Sequence, residues 1–221
     1  MADSKTRERI LETAVEMWSA QSYNAVSIRD IAHAVNIRES SIYYHFKSKK
    51  DILDTIIAMF EEKAAATADS LITSISESIL LQSAKKTGLF HRKSADINAH
   101  AFLWLKTYYC EQFLFDPFTN SVMRILMLEQ FHDEAIAAKY EEWLFNRPRT
   151  LMMQALRVLE ITDDASDDTY AEPFGSFLTG RIFHYLLTGK LTEEKCRMFS
   201  GELEAFVSAM FGAEAVREVT T

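Results

Sequence analysis

Ser27-Ile28-Arg29-Asp30-Ile31-Ala32-His33-Ala34-Val35-Asn36-Ile37-Arg38-Glu39-Ser40-Ser41-Ile42-Tyr43-Tyr44-His45-Phe46 is the stretch whose reading decides the fold. It resolves into two short helices joined by a tight turn. Ser27 is a good N-cap, and Asp30 three residues on completes a capping-box-like Ser-x-x-Asp that occupies free N–H groups. Ile28, Ile31, Ala32 and Val35 recur at i, i+3, i+4 and i+7, the stripe of one helical face. Asn36 follows, one of the few non-glycine residues that tolerates the left-handed conformation, so the chain can reverse there. Ile37 and Ile42 supply buried contacts for a second helix over about 38–44. The other face of that helix carries Arg38, Glu39, Ser40, Ser41, Tyr43 and Tyr44, almost all hydrogen-bonding side chains. An apolar back and a polar front on so short a helix is the form of a helix-turn-helix recognition element.

Working outward, residues 6–20 read as a first helix with Ile10, Leu11, Ala14, Met17 and Trp18 on its apolar face. Arg7, Arg9, Glu12 and Glu16 point away from that face. No Gly or Pro occurs before Gly88, so Asn and Ser must make every turn in this part of the chain. Ser48 can cap a further helix with Asp51 at its third position. That helix carries Ile52, Leu53, Ile56, Ile57 and Phe60 and can continue to about residue 81.

The run Ser27 to Ala32, a short turn, and then Ser41-Ile42-Tyr43-Tyr44-His45-Phe46-Lys47-Ser48-Lys49 resembles the DNA-binding domain of the tetracycline-repressor (TetR) family. The resemblance covers about residues 6–57 and rests on several independent positions that agree in type and spacing. It departs where the family usually has Gly, at Ser22 and Asn36, and where it usually has a Ser cap, at Arg38. Asn36 replaces Gly at small cost; Ser22 implies strain at a positive φ and Arg38 a missing cap. The resemblance implies contacts to bases or to the sugar-phosphate backbone from Arg29, Glu39, Ser40, Ser41, Tyr43 and Tyr44. It implies backbone contacts from Ser27, Tyr43, His45 and Lys49. Arg prefers guanine O6 and N7, Ser is permissive, and Glu39 either accepts from cytosine N4 or stands near DNA as a repulsive or merely solvated group. His45 is either a phosphate contact or a helix-capping group. Ile42 and Phe46 belong to the core.

The chain has 221 residues and a formal net charge of −8, which taken alone argues against nucleic acid as a partner. Its distribution reverses that reading. Residues 1–50 hold 8 Lys+Arg against 6 Asp+Glu, a net of +2, and residues 51–221 hold 16 against 26, a net of −10. Lys47, Lys49 and Lys50 cluster directly after the recognition helix. A small cationic module on an acidic body suits a DNA reader whose remaining surface repels DNA. No apolar run reaches membrane-spanning length and no apolar signal core opens the chain, so a cytoplasmic protein with no membrane partner is expected. Cys110 and Cys196 read as small apolar residues rather than as a disulfide or a metal pair.

From residue 96 onward the pattern is helical without strands, and the expected fold class is all-α. An N-terminal three-helix helix-turn-helix domain, residues 1–50, precedes an all-helical effector-binding and dimerisation domain, residues 51–221. Ile97, Ala101, Trp104, Leu105, Tyr108 and Gln112 share a helical face, flanked by Phe102, Tyr109 and Phe113. Residues 133–161 read as one long helix in which Pro148 predicts a kink at 144–147. An acidic loop over 162–169 separates it from two last helices, about 170–188 and 192–211. Gly175 and Gly180 are expected to permit close helix approach.

Trp104, Tyr108, Phe113, Met123, Met127, Tyr140 and Trp143 are candidates for an effector pocket, since aromatic and Met side chains dominate such cavities; the plainer reading is bundle core. Phe174, Phe177, Leu178, Leu203, Phe206 and Met210 offer apolar area for a four-helix dimer contact, and the resemblance implies the same homodimer. No constellation for catalysis, metal or cofactor binding is found, and no enzymatic activity is expected. The sequence thus points to a dimeric, sequence-specific transcriptional regulator of a double-stranded DNA operator. A repressor released by a small-molecule effector is the first reading. A ligand-independent DNA-binding protein regulated by a protein partner is the second.

Overall fold

A computed structural model of the chain describes residues 2–85, 106–158, 171–188 and 191–211. Trp104, the start of the helix expected from residue 96, and the acidic loop at 162–169 lie outside the described residues. Every regular element among the described residues is a helix. In chain order these are α1 (Ala2–Gln21), α2 (Ile28–Val35), α3 (Glu39–His45), α4 (Lys49–Lys85), α5 (Thr107–Leu114), α6 (Pro117–Glu129), α7 (Glu134–Glu141), α8 (Arg147–Val158), α9 (Ala171–Leu187) and α10 (Glu193–Phe211). The chain forms two compact units, residues 1–64 with 117–141, and residues 65–116 with 142–221. Residue 50, where the sequence suggests a functional boundary, falls inside the first unit.

The first unit is built on α1. Ile10, Ala14 and Trp18 are fully buried, as are Ile31 of α2, Ile42 of α3, and Ile52, Ile56 and Phe60 of α4. These are the apolar positions of the helical stripes, drawn together by removal of their surface from water. The turns work without glycine. Ser22 sits at φ 74° and its N–H donates to Trp18 O at 3.1 Å, ending α1 in a left-handed cap. Asn36 adopts φ 59° and ψ 49°. Its N–H donates to His33 O at 3.0 Å, and that of Ile37 donates to Ala32 O at 2.9 Å, the paired bonds of a Schellman motif. At the start of α2, the Asp30 N–H donates to Ser27 Oγ at 3.2 Å and the Ser27 N–H to Asp30 Oδ2 at 2.7 Å, so both halves of the capping box are present. Arg38, at the start of α3, makes no side-chain cap. Ser48 caps α4, accepting from the Asp51 N–H at 3.1 Å.

In the second unit two departures from regular α-helix stand out. Between α7 and α8, Glu142–Asn146 winds as a π-helical turn immediately before Pro148. This is where the proline was expected to disturb the helix, because it has no N–H for the carbonyl four residues back. That carbonyl belongs to Leu144, and the Thr179 hydroxyl of α9 donates to it at 2.8 Å. The orphan acceptor left by Pro148 is therefore satisfied from a neighbouring helix. Helix α5 is wound as π throughout. The face predicted at α-helical spacing changes accordingly, and Tyr108 stacks with Phe113, five residues on, with centroids 5.9 Å apart. Gly175 meets α8 closely, since a Cβ there would lie 3.4 Å from Arg149 Cβ; Gly180 has no heavy atom within 4 Å of that position and is not a close-approach site. Cys110 and Cys196 are free thiols, and burial pushes the Cys110 thiol up to about 12.

Two stability measurements follow. Ser22→Gly removes the left-handed penalty and raises unfolding free energy by up to about 1 kcal/mol, read from the urea midpoint at unchanged slope. Thr179→Val leaves the Leu144 carbonyl without a donor and lowers stability by about 1–3 kcal/mol. A Thr179→Ser variant, which keeps the hydroxyl, stays near the native midpoint; equal losses in both would assign the effect to the methyl group instead.

Candidate nucleic-acid interface

Helix α3 presents to solvent the side chains that a DNA reader needs. Ile42 is fully buried and Phe46, just past the helix end, is 2% exposed, so the apolar back of α3 is docked. Tyr43 and Tyr44 on its front are 54% and 76% exposed. Ser40 is exposed, and Ser41 and His45 are half-buried beside them, with the His45 ring edge-on to Tyr44 at 5.1 Å. Hydroxyl and phenol groups on one exposed face can donate and accept to base edges and phosphates without carrying a charge of their own.

Arg29 and Glu39 come together. Arg29 Nε donates to Glu39 Oε1 at 2.8 Å, an ion pair that bridges α2 and α3 in solvent. An exposed pair of this kind contributes little to stability. Its effect is to fix the direction of the guanidinium. The hydrogen bond from Arg29 occupies an oxygen of the Glu39 carboxylate, so a reading of cytosine N4 by Glu39 competes with its partner. Ser27 is exposed at the N-terminus of α2, and its hydrogen bonds hold the Asp30 carboxyl below its usual range.

Lys49 turns inward. Its ammonium donates to the Tyr23 carbonyl and lies 4.0 Å from the Tyr23 ring centroid and 6.0 Å from that of Trp18. Burial lowers its pKa from the ordinary lysine value. Of the other two cluster members, Lys47 is exposed, and Lys50 pairs with Asp54 one turn along α4 at 2.7 Å.

Glu129 is the residue that sequence reading missed. It ends α6 and is only 2% exposed, yet it reaches the turn after α1. Glu129 Oε1 accepts from the Tyr23 N–H at 2.9 Å, and Oε2 accepts from Asn24 Nδ2 at 3.4 Å. The peptide groups of Tyr23 are thereby held on both sides, by a carboxylate from α6 and an ammonium from α4. Buried charges of opposite sign compensate one another only when hydrogen-bonded in this way. No spacing rule connects positions 23, 49 and 129; the single available signal was an acid ending an otherwise apolar stripe.

The other candidate residues divide between the units. Tyr108, Phe113 and Trp143 are buried together in the second unit, with Phe113 and Trp143 stacked at 6.5 Å, and burial pushes the Tyr108 phenol up to about 12. Met123, Met127 and Tyr140 belong to the first unit. The Tyr140 hydroxyl is buried without a hydrogen-bond partner, and burial pushes it up to about 12. Of the proposed dimer residues, Phe174, Leu178 and Leu203 are already fully buried within the single chain. Phe177 and Phe206 stack on each other at 4.2 Å and are half-buried, as is Met210. Among the described side chains of α9 and α10, the large apolar ones that are exposed are Phe183, Leu187 and Met198. No described helix is long and apolar enough to cross a membrane.

Replacing the acid tests the clamp. Glu129→Leu strips the Tyr23 amide of its acceptor and Lys49 of its counter-charge, for a loss of about 2–3 kcal/mol. Hydrogen exchange at the Tyr23 amide should accelerate more than at the fully buried Ile31. Unchanged protection at Tyr23 would show that Glu129 does not hold the turn.

Residues 10–56 match the model of the bacterial regulatory proteins of the tetR family. The biofilm operon icaADBC HTH-type negative transcriptional regulator IcaR of Staphylococcus aureus is 34% identical over 76 residues, which cover 29% of this chain and 41% of that protein. The probable HTH-type transcriptional regulator YttP of Bacillus subtilis is 27% identical over 71 residues, covering 32% and 34%. The chain thus spans less than half the length of these curated relatives. Whole-chain likeness comes from solved structures. A transcriptional regulator from Aquifex aeolicus VF5 superposes with a TM-score of 0.55 at 20% identity, covering 93% of this chain and 99% of the other. A gamma-butyrolactone receptor gives 0.56 at 15% identity, covering 98% of both. These last two likenesses speak to the fold, and the matched stretch holds both helices of the helix-turn-helix; residues 10–56 thus form a DNA-binding domain of the tetR family of bacterial regulatory proteins, on a chain whose all-α fold is similar to that of these solved regulators.

Proposed function

We propose that the protein is a homodimeric, sequence-specific repressor that leaves its double-stranded DNA operator when a small molecule binds. The observation that carries this reading is the docked back and exposed front of α3, with Ile42 buried and Tyr43 and Tyr44 in solvent. Arg29, Ser40, Ser41, Tyr43 and Tyr44 are the proposed base and backbone readers, with Ser27 and His45 on phosphates. Lys49 acts by holding the turn before α2, and Lys47 takes the phosphate role of the basic cluster. Repression is supported by the relative named as a negative transcriptional regulator, and effector binding by the neighbour named as a receptor.

Residues 1–50 are the proposed reading domain, and residues 51–221 the proposed effector and dimer region. Two π-helical stretches supply the Tyr108, Phe113 and Trp143 cluster, and such irregular turns recur at functional sites. Release by a factor of one hundred requires that the effector prefer the released conformation by about 2.7 kcal/mol. The stacked rings at Tyr108, Phe113 and Trp143 favour a second reading, in which this cluster is closed core and a protein partner regulates the dimer.

For the dimer, the exposed Phe183, Leu187 and Met198 on α9 and α10 are the proposed anchors, because a partner gains area only from side chains still in water. Two α3 helices must reach successive major grooves about 34–36 Å apart, so the operator is an inverted repeat. The test is selection of binding duplexes from a random pool, followed by titration and sedimentation. The expected result is two chains per selected duplex, relaxed base preference in Arg29→Ala and Ser41→Ala, and a salt slope lower by about one in Lys47→Ala. Leu187→Asp combined with Met198→Asp gives a helical monomer with operator affinity reduced at least about a hundredfold. No enriched sequence would overturn the reading; a dimer that survives both substitutions would overturn the interface alone.

A further inference from the structure

The first unit contains a cavity of about 440 Å³ that the DNA-reading face does not use. Its wall on α1 is the stripe Glu8, Leu11, Glu12, Val15, Glu16 and Ser19. Met59 of α4, and Pro117, Phe118 and Ser121 of α6, complete the lining. The volume lies in the range of small-molecule sites, about 300–1,000 Å³. Leu11 and Val15 are 4% and 7% exposed and form an apolar floor with Phe118 and Met59.

The charge along this wall is of one sign. Glu8, Glu12 and Glu16 stand at i, i+4 and i+8, one turn apart, or about 6 Å along the axis at 1.5 Å per residue. Like charges so placed cost a helix a few tenths of a kcal/mol per pair. Among the described residues none of the three is in an ion pair; Glu8 accepts a hydrogen bond from the Ser4 hydroxyl at 3.2 Å. Two cations that touch lining residues are engaged in those contacts. Arg124 Nε donates to the Ser19 carbonyl at 3.2 Å, and the Lys63 ammonium lies 5.7 Å from the Phe118 ring centroid. That second contact shows a lining ring already receiving a positive charge on its π system.

We propose that this cavity binds a small organic cation with an apolar body, its charge set along Glu8, Glu12 and Glu16 and its body against Leu11, Val15 and Phe118. An anion is repelled by the same row. A second copy docking symmetrically would bring an identical acidic row to face the first, which opposes self-association at this surface. The site is distinct from the Tyr108, Phe113 and Trp143 cluster, and it stands without the repressor reading.

Calorimetric titration of the intact chain, without DNA, tests it with two ions of one shape and opposite charge, tetraphenylphosphonium and tetraphenylborate. The phosphonium should bind once per chain and the borate at least about tenfold more weakly. The triple variant Glu8→Gln, Glu12→Gln, Glu16→Gln, all exposed positions whose replacement leaves the fold intact, should lose about tenfold in phosphonium affinity. Ser121→Trp, which fills the cavity and keeps the carboxylates, should lose it as well. Borate bound as tightly as phosphonium, phosphonium affinity unchanged in either variant, or no binding of either ion overturns the proposal. Because no operator is present, any of these results leaves the DNA-binding reading standing.

Discussion

A seven-residue helix does not hold itself together in water, and the reading surface of this protein is one. Helix nucleation fixes several dihedral angles before the first hydrogen bond forms, so an isolated segment of that length stays mostly unfolded. Helix α3 also lacks a side-chain cap, since Arg38 stands at its N-terminus. Its order must come from outside. Ile42 and Phe46 anchor it from behind, the Schellman turn at Asn36 sets its departure from α2, and the Arg29–Glu39 pair crosses the turn in front. The exposed tyrosines are placed by contacts on the opposite side of the helix from the ones that would touch DNA.

The same logic explains the inward Lys49. Three lysines in sequence look like a phosphate-binding patch, but a long, flexible ammonium side chain goes where acceptors and aromatic faces are already fixed. The Tyr23 carbonyl and ring provide both, and the Glu129 carboxylate supplies the opposing charge nearby. The turn between α1 and α2 is thus closed by charged groups from α4 and α6. Helix α6 also grips α1 further along, through Arg124 and the Ser19 carbonyl. Residues far from α3 in sequence therefore set the frame in which it is presented.

In the second unit the chain resolves a conflict between sequence and regular helix. Pro148 deprives the Leu144 carbonyl of its donor, and the cost is met by a π-helical turn and by the Thr179 hydroxyl. The π winding of α5 brings Tyr108 and Phe113 onto one face, where they join Trp143 in a stack. Aromatic rings bury much area and tolerate offset or edge-on geometry, which makes such a departure affordable.

Much of the head was legible in the sequence because its determinants are local. Capping boxes, left-handed turns and apolar stripes act over three to seven residues, so Ser27, Asn36, Ile42 and Ser48 could be assigned from the local pattern, while the positive φ of Ser22 followed from the family resemblance, which places a Gly there. A proline disturbance, expected at 144–147 and found at 142–146, was legible for the same reason. What the tertiary structure alone decided concerns side chains that choose among distant partners. It turned Lys49 inward, paired Arg29 with Glu39, and brought Glu129 to Tyr23 across more than a hundred residues. It also assigned Met123 and Tyr140 to one compact unit and Tyr108 to the other, and enclosed Phe174 and Leu203 within one chain while leaving Leu187 in water. A helical stripe shows that a face is buried; which surface buries it depends on packing between elements, and that has no period in the sequence.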